Sequence, residues 1–322
     1  MQQVKKELQI VIIGAGDIAR KAYLPVLRTW PGVRITGLYS RTRATVDSVC
    51  KDWQIEFGST NLEDLIDLRP NAAIILTKTT SHFEIAQQFL DANIDVYLEK
   101  PATTISSQTR ALADLATQKG QVFMVGFNRR YAPLYQLAKE RFSSHPITQV
   151  VIEKHRTTSH HRSLYNQYLD DTIHAIDLVR FYCGQVEAVQ TTYLMQNGEM
   201  ANAVSQMKLP DGGTALVLTC LKAGAWQERV SIYGDQMTVE VNAFREMRIK
   251  YPDHEEVYGG DRPGRWIPEL TERGFTGEIS HFFDCVRNRT QPLTDGYQAA
   301  QTQELVEQLT RLAGADTVYL PE

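Results

Sequence analysis

Three short stretches carry residue types that could do chemistry together. Lys100, in Leu98-Glu99-Lys100-Pro101, offers an ammonium that can bind a hydroxyl and stabilise the oxygen charge that develops as hydride leaves carbon. Glu99 can pair with it or bind a ribose. In Tyr168-Leu169-Asp170-Asp171-Thr172-Ile173-His174, a regular helix advancing about 100° per residue sets Asp170 and His174 only about 40° apart on one face. An acid one turn from an imidazole fixes its tautomer and raises its basicity, which suits a general base taking a hydroxyl proton. Asp177 falls on the same side, while Ile176, Val179 and Cys183 form an apolar face that can dock the helix. Each pattern has a plain alternative: a surface Lys-Pro turn, and a capping aspartate beside an unrelated core histidine.

The third stretch is Ile10 to Ala19, reading IVIIGAGDIA. An apolar run into Gly14-Ala15-Gly16, with small Ala19 three residues on, lets a strand turn sharply into a helix whose first amides, at Asp17 and Ile18, can hold a pyrophosphate. Gly16 leaves room for the phosphate. The residue that ends the second strand normally separates the two nicotinamide dinucleotides, because a carboxylate there accepts from the ribose hydroxyls. That residue is Ser40, followed by Arg41-Thr42-Arg43, so a hydroxyl and two guanidinium groups meet whatever the ribose carries. Such groups suit a 2′-phosphate and favour NADP. NAD stays open, since Arg41 and Arg43 can equally be a solvated helix start, or Arg can lie over adenine.

The elements that must position these residues follow from periodicity. Apolar runs at Leu8–Ile13, Val33–Tyr39, Ala72–Leu76, Asp95–Leu98 and Val122–Val125 alternate with amphipathic segments, which predicts a doubly wound parallel α/β sheet. After Phe127 the texture changes. A helix is expected at Ala132–Phe142, and strands at Gln149–His155, Ala203–Leu209, Thr214–Cys220, Val230–Tyr233 and Thr238–Val241. Reversals at Pro210-Asp211-Gly212-Gly213 and Gly234-Asp235 predict antiparallel pairing. Polar, glycine-rich His254–Gly264 reads as a mobile loop outside the sheet, and helices are expected at Thr276–Arg287 and Tyr297–Leu312. The fold class is α/β: a Rossmann domain at 1–127 and an α+β domain with a mostly antiparallel open sheet at 128–322. A chain of 322 residues is long enough for two cores and a cleft between them.

With 34 Lys+Arg against 38 Asp+Glu the net charge is −4, and no basic cluster tracks a phosphate backbone, so a small-molecule partner is expected and nucleic acid is not. No stretch approaches the roughly 20 apolar residues of a bilayer span, nor does Met1–Val11 resemble a secretion signal, so a cytoplasmic protein off the membrane is expected. The four cysteines are dispersed, and His155, His160 and His161 lack companions at ligand spacing, so no metal is expected.

These signals, in this order, resemble the glucose-fructose oxidoreductase, inositol dehydrogenase and MocA family, Gfo/Idh/MocA, over almost the whole chain. The resemblance includes Thr77-Lys78-Thr79-Thr80-Ser81-His82, Glu99-Lys100-Pro101, Gly126-Phe127-Asn128-Arg129-Arg130-Tyr131-Ala132-Pro133, and Asp170 with His174. Gly126–Leu134, Lys154-His155-Arg156 and Leu169-Asp170-Asp171 are similar to the bacterial subgroup labelled MviM. The resemblance implies a catalytic Lys100, His174 as base and Asp170 as its partner. It adds Thr77, Thr79, His82, Glu99 and Asn128 to the cofactor site, and it implies sugar or polyol substrates and a homodimer or homotetramer built on the face of the second sheet. Lys154, Arg156 and Tyr165 are placed against the substrate by position. The expected reaction is hydride transfer between a carbinol carbon and NADP, with the nicotinamide between Lys100 and His174. Two further readings remain: a non-catalytic cofactor-binding regulator, and cofactor-retaining glycoside cleavage. Ala19 in place of a third glycine, and Ser40-Arg41 in place of the acid, are the two departures from the family pattern.

Overall fold

The computed structural model describes residues 7–158, 163–260 and 266–320. They form two compact units, Met1–Gly126 with Phe275–Ala300, and Phe127–Gly274 with Gln301–Glu322. The chain returns to the first unit late. It does so because Phe275 and Phe282, on the helix Phe275–Asn288, set their rings edge-on against Tyr23 and Tyr97, and because Thr294 hydrogen-bonds both ways with the backbone of Val125.

The first unit holds a parallel sheet of β1 (Leu8–Ile13), β2 (Val33–Tyr39), β3 (Gly58–Ser59), β4 (Ala72–Ile75), β5 (Asp95–Glu99) and β6 (Phe123–Gly126), in the order β3-β2-β1-β4-β5-β6. This is the order of a dinucleotide-binding Rossmann sheet. Strands β1, β4 and β5 are almost wholly buried, as expected of a parallel sheet covered on both faces, and this is why their sequences are apolar runs rather than alternations. Register sets Ile13 beside Tyr39 and Ile75, and Ile75 beside Leu98. The carboxyl ends of four strands therefore lie level, and the loops after Ile13, Tyr39, Ile75 and Glu99 share one edge. The strand β3 was not expected, because two residues carry no periodicity.

The second unit holds β7 (Gln149–His155), β8 (Glu187–Gln196), β9 (Glu199–Lys208), β10 (Thr214–Cys220), β11 (Gln227–Gly234), β12 (Met237–Asn242), β13 (Glu246–Lys250) and β14 (Glu255–Gly259), in the order β14-β13-β12-β11-β7-β10-β9-β8. Among the described residues of this sheet, only β7 and β10 pair in parallel. The alternation in β7 and β10 turns one face toward the helix Ile173–Cys183. The reading of His254–Gly264 as a loop outside the sheet is corrected over Glu255–Gly259, which pairs with β13 as an edge strand. An edge strand needs no apolar face, and charges such as Glu255, held 3.2 Å from Arg248, blunt it. Residues 261–264 lie outside the described residues. No helix among the described residues is long and apolar enough to cross a membrane.

Candidate active site

In the first unit the glycine loop follows directly from β1. Gly14 adopts φ +105°, and a Cβ there would lie 2.8 Å from the backbone of Leu76, so only glycine lets this loop press against the end of β4. Gly16 is different: a Cβ would meet nothing within 4 Å, and its φ is ordinary. Protein packing therefore gives no reason for glycine at 16, whereas close approach of a phosphate would. A helix starts at Asp17, with Ile18 already helical, and Arg20 Nε donates to Ala15 O at 3.2 Å across the loop. Asp17 is exposed and paired with Lys21 at 2.7 Å, which holds its carboxyl below the usual range. Ala19 is fully buried, which explains a small residue there. These features fit a pyrophosphate at the helix start, with the backbone rather than the Asp17 side chain facing it.

Past β2, Ser40 donates its amide hydrogen to Ser59 O at 3.3 Å. Arg41 is exposed and makes no hydrogen bond or ion pair among the described residues. Arg43 is engaged, with Nη2 2.7 Å from Asp47 and Nη1 donating to Gly58 O at 3.3 Å. The two arginines, offered alike by the sequence, are thus unlike in the structure.

The loops after β4 and β5 are joined by His82, 1% exposed, whose Nδ1 lies 2.9 Å from Pro101 O and Nε2 3.0 Å from Thr77 O. Burial pushes its pKa down, against the pull of those carbonyls. His82 is a clip between the two loop backbones. Thr77 Oγ1 accepts from Ser81, within the 3₁₀ turn Thr79–Ser81. Lys100 is partly exposed and follows β5 through a cis bond to Pro101. Glu99 turns its Oε2 inward, accepting from Tyr23 Oη at 2.9 Å and from the Lys100 amide at 3.0 Å.

In the second unit the helical segment is not regular where Asp170 sits. Leu164–Gln167 is α, Tyr168–Thr172 is a π turn, and Ile173–Cys183 is α again. The 100° step therefore does not carry from Asp170 to His174, and Asp170 is exposed on the widened turn while His174 is 7% exposed. Single π turns inside helices frequently mark functional sites. Asp177 is buried and taken up by Arg130, at 2.7 and 2.6 Å, and by Thr302 Oγ1 at 2.9 Å. Asn128 is 5% exposed, with Nδ2 donating to Arg273 O at 2.7 Å and Oδ1 accepting from Arg129.

A charged ladder that the sequence did not reveal lies beside the π turn. Arg129, Tyr135 and Lys154 all donate to Glu228, the last at 2.9 Å, while Lys154 lies 3.4 Å and Arg156 2.5 Å from Asp171. Burial alone would raise the Glu228 carboxyl, but the Arg129 and Lys154 cations outweigh it and hold it well below the carboxylate range. Burial, then Arg129, lowers the Lys154 ammonium. Lys154 is fully enclosed, as is Tyr165, whose hydroxyl burial and Glu307 push upward. Both side chains are therefore turned away from solvent. Arg156 is partly exposed but bound bidentately by Asp171. His155 Nδ1 accepts from the Cys220 amide at 3.0 Å, and His160 and His161 lie outside the described residues. Among the described residues no three His, Cys, Asp or Glu side chains gather as metal ligands.

A parallel sheet in this order with a glycine loop after its first strand is the architecture of a dinucleotide-binding Rossmann fold. Residues 8–127 match the oxidoreductase family with NAD-binding Rossmann fold, and residues 133–251 match the YceM-like C-terminal domain. The protein YceM of Salmonella typhimurium is 33% identical over 313 residues, covering 95% of this chain and 98% of that protein. The scyllo-inositol 2-dehydrogenase (NAD(+)) of Bacillus subtilis is 23% identical over 94% of this chain and 93% of its own. The solved structure of a dehydrogenase (MviM) from Clostridium difficile superimposes with a TM-score of 0.88 at 25% identity, covering 95% of this chain and 99% of that one. The chain belongs to the Gfo/Idh/MocA family of oxidoreductases.

Proposed function

We propose that the protein transfers a hydride between NADP and a carbinol or carbonyl carbon of a sugar, cyclitol or related polyol. The observation that carries the cofactor reading is the pair Gly16 and Arg41: one position where glycine serves no packing need, and one exposed guanidinium with no partner among the described residues, directly after β2. When bound, the dinucleotide supplies the nicotinamide that exchanges the hydride. Lys100, at the carboxyl end of β5, holds the reacting oxygen and stabilises its charge. His174 takes the hydroxyl proton during oxidation and returns it during reduction, and Asp170 orients the imidazole. Polyhydroxylated substrates are supported by the inositol dehydrogenase among the relatives. A homodimer or homotetramer is supported by the β8–β9 end of the second sheet, where Val189, Tyr193, Leu194, Met195 and Val204 stand exposed.

The test is a titration of purified protein with NADPH and NADH followed by nicotinamide fluorescence, then a screen of sugars and inositols with the preferred cofactor. Tighter NADPH binding that Arg41→Ala weakens, and turnover that Lys100→Ala abolishes without loss of NADPH affinity, are the expected results. Tighter NADH binding overturns the cofactor choice, and unchanged turnover in Lys100→Ala overturns the role of Lys100.

A further inference from the structure

The π turn that carries Asp170 rests on a row of buried polar side chains. Residues directly opposite on neighbouring strands stand on the same face of a sheet. Register sets Lys154 on β7 between Thr219 on β10 and Glu228 on β11, at 0%, 3% and 2% exposure. The turn Tyr168–Thr172 meets this row and its neighbours. Thr172 Oγ1 lies 3.4 Å from Thr219 Oγ1, and Asp171 Oδ1 lies 3.4 Å from Lys154 Nζ. Tyr168 Oη is 2.8 Å from Ser205 Oγ on β9, itself 2.8 Å from Thr191 Oγ1 on β8. Arg156 adds two hydrogen bonds to Asp171. Tyr168, Asp171 and Thr172 are thus tied to side chains of the second sheet or of the residue just past β7, with Asp170 carried among them.

Lys154 is the costly member of this arrangement. An enclosed ammonium carries a large desolvation penalty, and replacing buried ionic groups by apolar ones of similar volume is often neutral or stabilising. Glu228 does not require it, because Arg129 binds that carboxylate through Nε and Nη2 and Tyr135 donates to it as well. What Lys154 adds is reach. Its Nζ stands 2.9 Å from Glu228 and 3.4 Å from Asp171, and so joins the sheet to the turn. That turn is closed by the Ile173 amide donating to Tyr168 O, a spacing rare inside helices and frequent at functional sites.

We propose that Lys154, acting through Asp171, fixes the π turn and with it the orientation of Asp170 toward His174. It is a positioning residue, and its effect on turnover rests on the reaction proposed above. Lys154→Met removes the charge while leaving Glu228 with Arg129 and Asp171 with Arg156. The variant is therefore expected to unfold at a urea concentration close to the parent's. Its kcat is expected to fall about tenfold to a hundredfold, with KM for NADPH and for the sugar within about twofold of the parent. Ring 15N spectra of His174, taken where the imidazole is neutral, give a readout free of substrate: one tautomer is expected in the parent and a mixture in the variant. A higher sugar KM at parental kcat overturns the proposal and makes Lys154 a substrate contact. So does a folded variant with parental kcat and a parental His174 spectrum. If Lys154→Met does not fold, Tyr168→Phe, which removes one hydroxyl at the other end of the turn, is held to the same readouts. If the parent turns over no sugar or inositol, the proposed reaction fails while the His174 spectrum still decides the role of Lys154.

Discussion

The glycine loop offers a contrast in which two substitutions of the same kind should fail in different ways. Gly14→Ala puts a methyl group 2.8 Å from Leu76 C and O and 2.9 Å from Thr77 N, at φ +105°. Backbone in such a region costs a side-chain-bearing residue about 1–3 kcal/mol, and overpacking against rigid backbone adds about 1–3 kcal/mol. The sum, about 2–6 kcal/mol, is a large part of the 5–15 kcal/mol that typically holds a domain together. Gly16→Ala meets nothing within 4 Å, so its effect on stability should stay within about 0.5 kcal/mol. Its effect should fall on the dinucleotide, whose phosphate would have to withdraw, and each 1.4 kcal/mol lost there weakens binding about tenfold. Urea unfolding measures the first effect and NADPH fluorescence titration the second. Gly14→Ala is expected to unfold at clearly lower urea, and Gly16→Ala to unfold like the parent while binding NADPH at least about tenfold more weakly. A Gly16→Ala protein with parental affinity would refute the phosphate site. A Gly14→Ala protein with parental stability would refute the close approach of the loop to β4.

Arg43→Ala should leave NADPH affinity within about twofold of the parent, since its guanidinium is held by Asp47 and Gly58 O, while Arg41→Ala should cost about 1.5–3 kcal/mol of binding to a charged phosphate; equal losses in one titration would refute the distinction. Glu228→Gln leaves the Arg129 and Lys154 cations buried without their carboxylate and should destabilise by about 3–5 kcal/mol, read from urea midpoints, with a loss under about 1 kcal/mol counting against the ladder. His82 has a lowered folded-state pKa, so the unfolded chain binds more protons and stability rises with pH through that window. Below the ordinary histidine value of about 6.5 the parent should therefore lose stability, at most about 1.4 kcal/mol per pH unit, and His82→Gln should flatten the slope between about pH 5 and 7. An unchanged slope would refute that origin.

Much of this protein could be read from its residues in order. The strands Leu8–Ile13, Val33–Tyr39, Gln149–His155 and Thr214–Cys220 fall at the expected bounds, because a covered parallel strand is an unbroken apolar run and a half-covered strand alternates. The glycine loop was equally legible, since a tight turn restricts residue type locally. Strands β8 and β14 are not legible in the sequence because exposed edges tolerate polar residues, and a strand there is identified by its hydrogen-bond partners rather than by an apolar run.

The chemistry divides along the same line. Sequence alone singled out Lys100, Asp170 and His174 by residue type and spacing, and Ser40-Arg41 by position after a strand. Only the tertiary structure separated Arg41 from Arg43, enclosed Lys154 and Tyr165, and turned His82 and Asn128 to backbone partners. It also placed a π turn under Asp170 and brought Glu278 to within 3.3 Å of Tyr23 across 255 residues of chain. Spacing along a helix or strand fixes which side chains share a face. Which of them is already spent on a neighbour depends on long-range packing, and no local pattern carries that information.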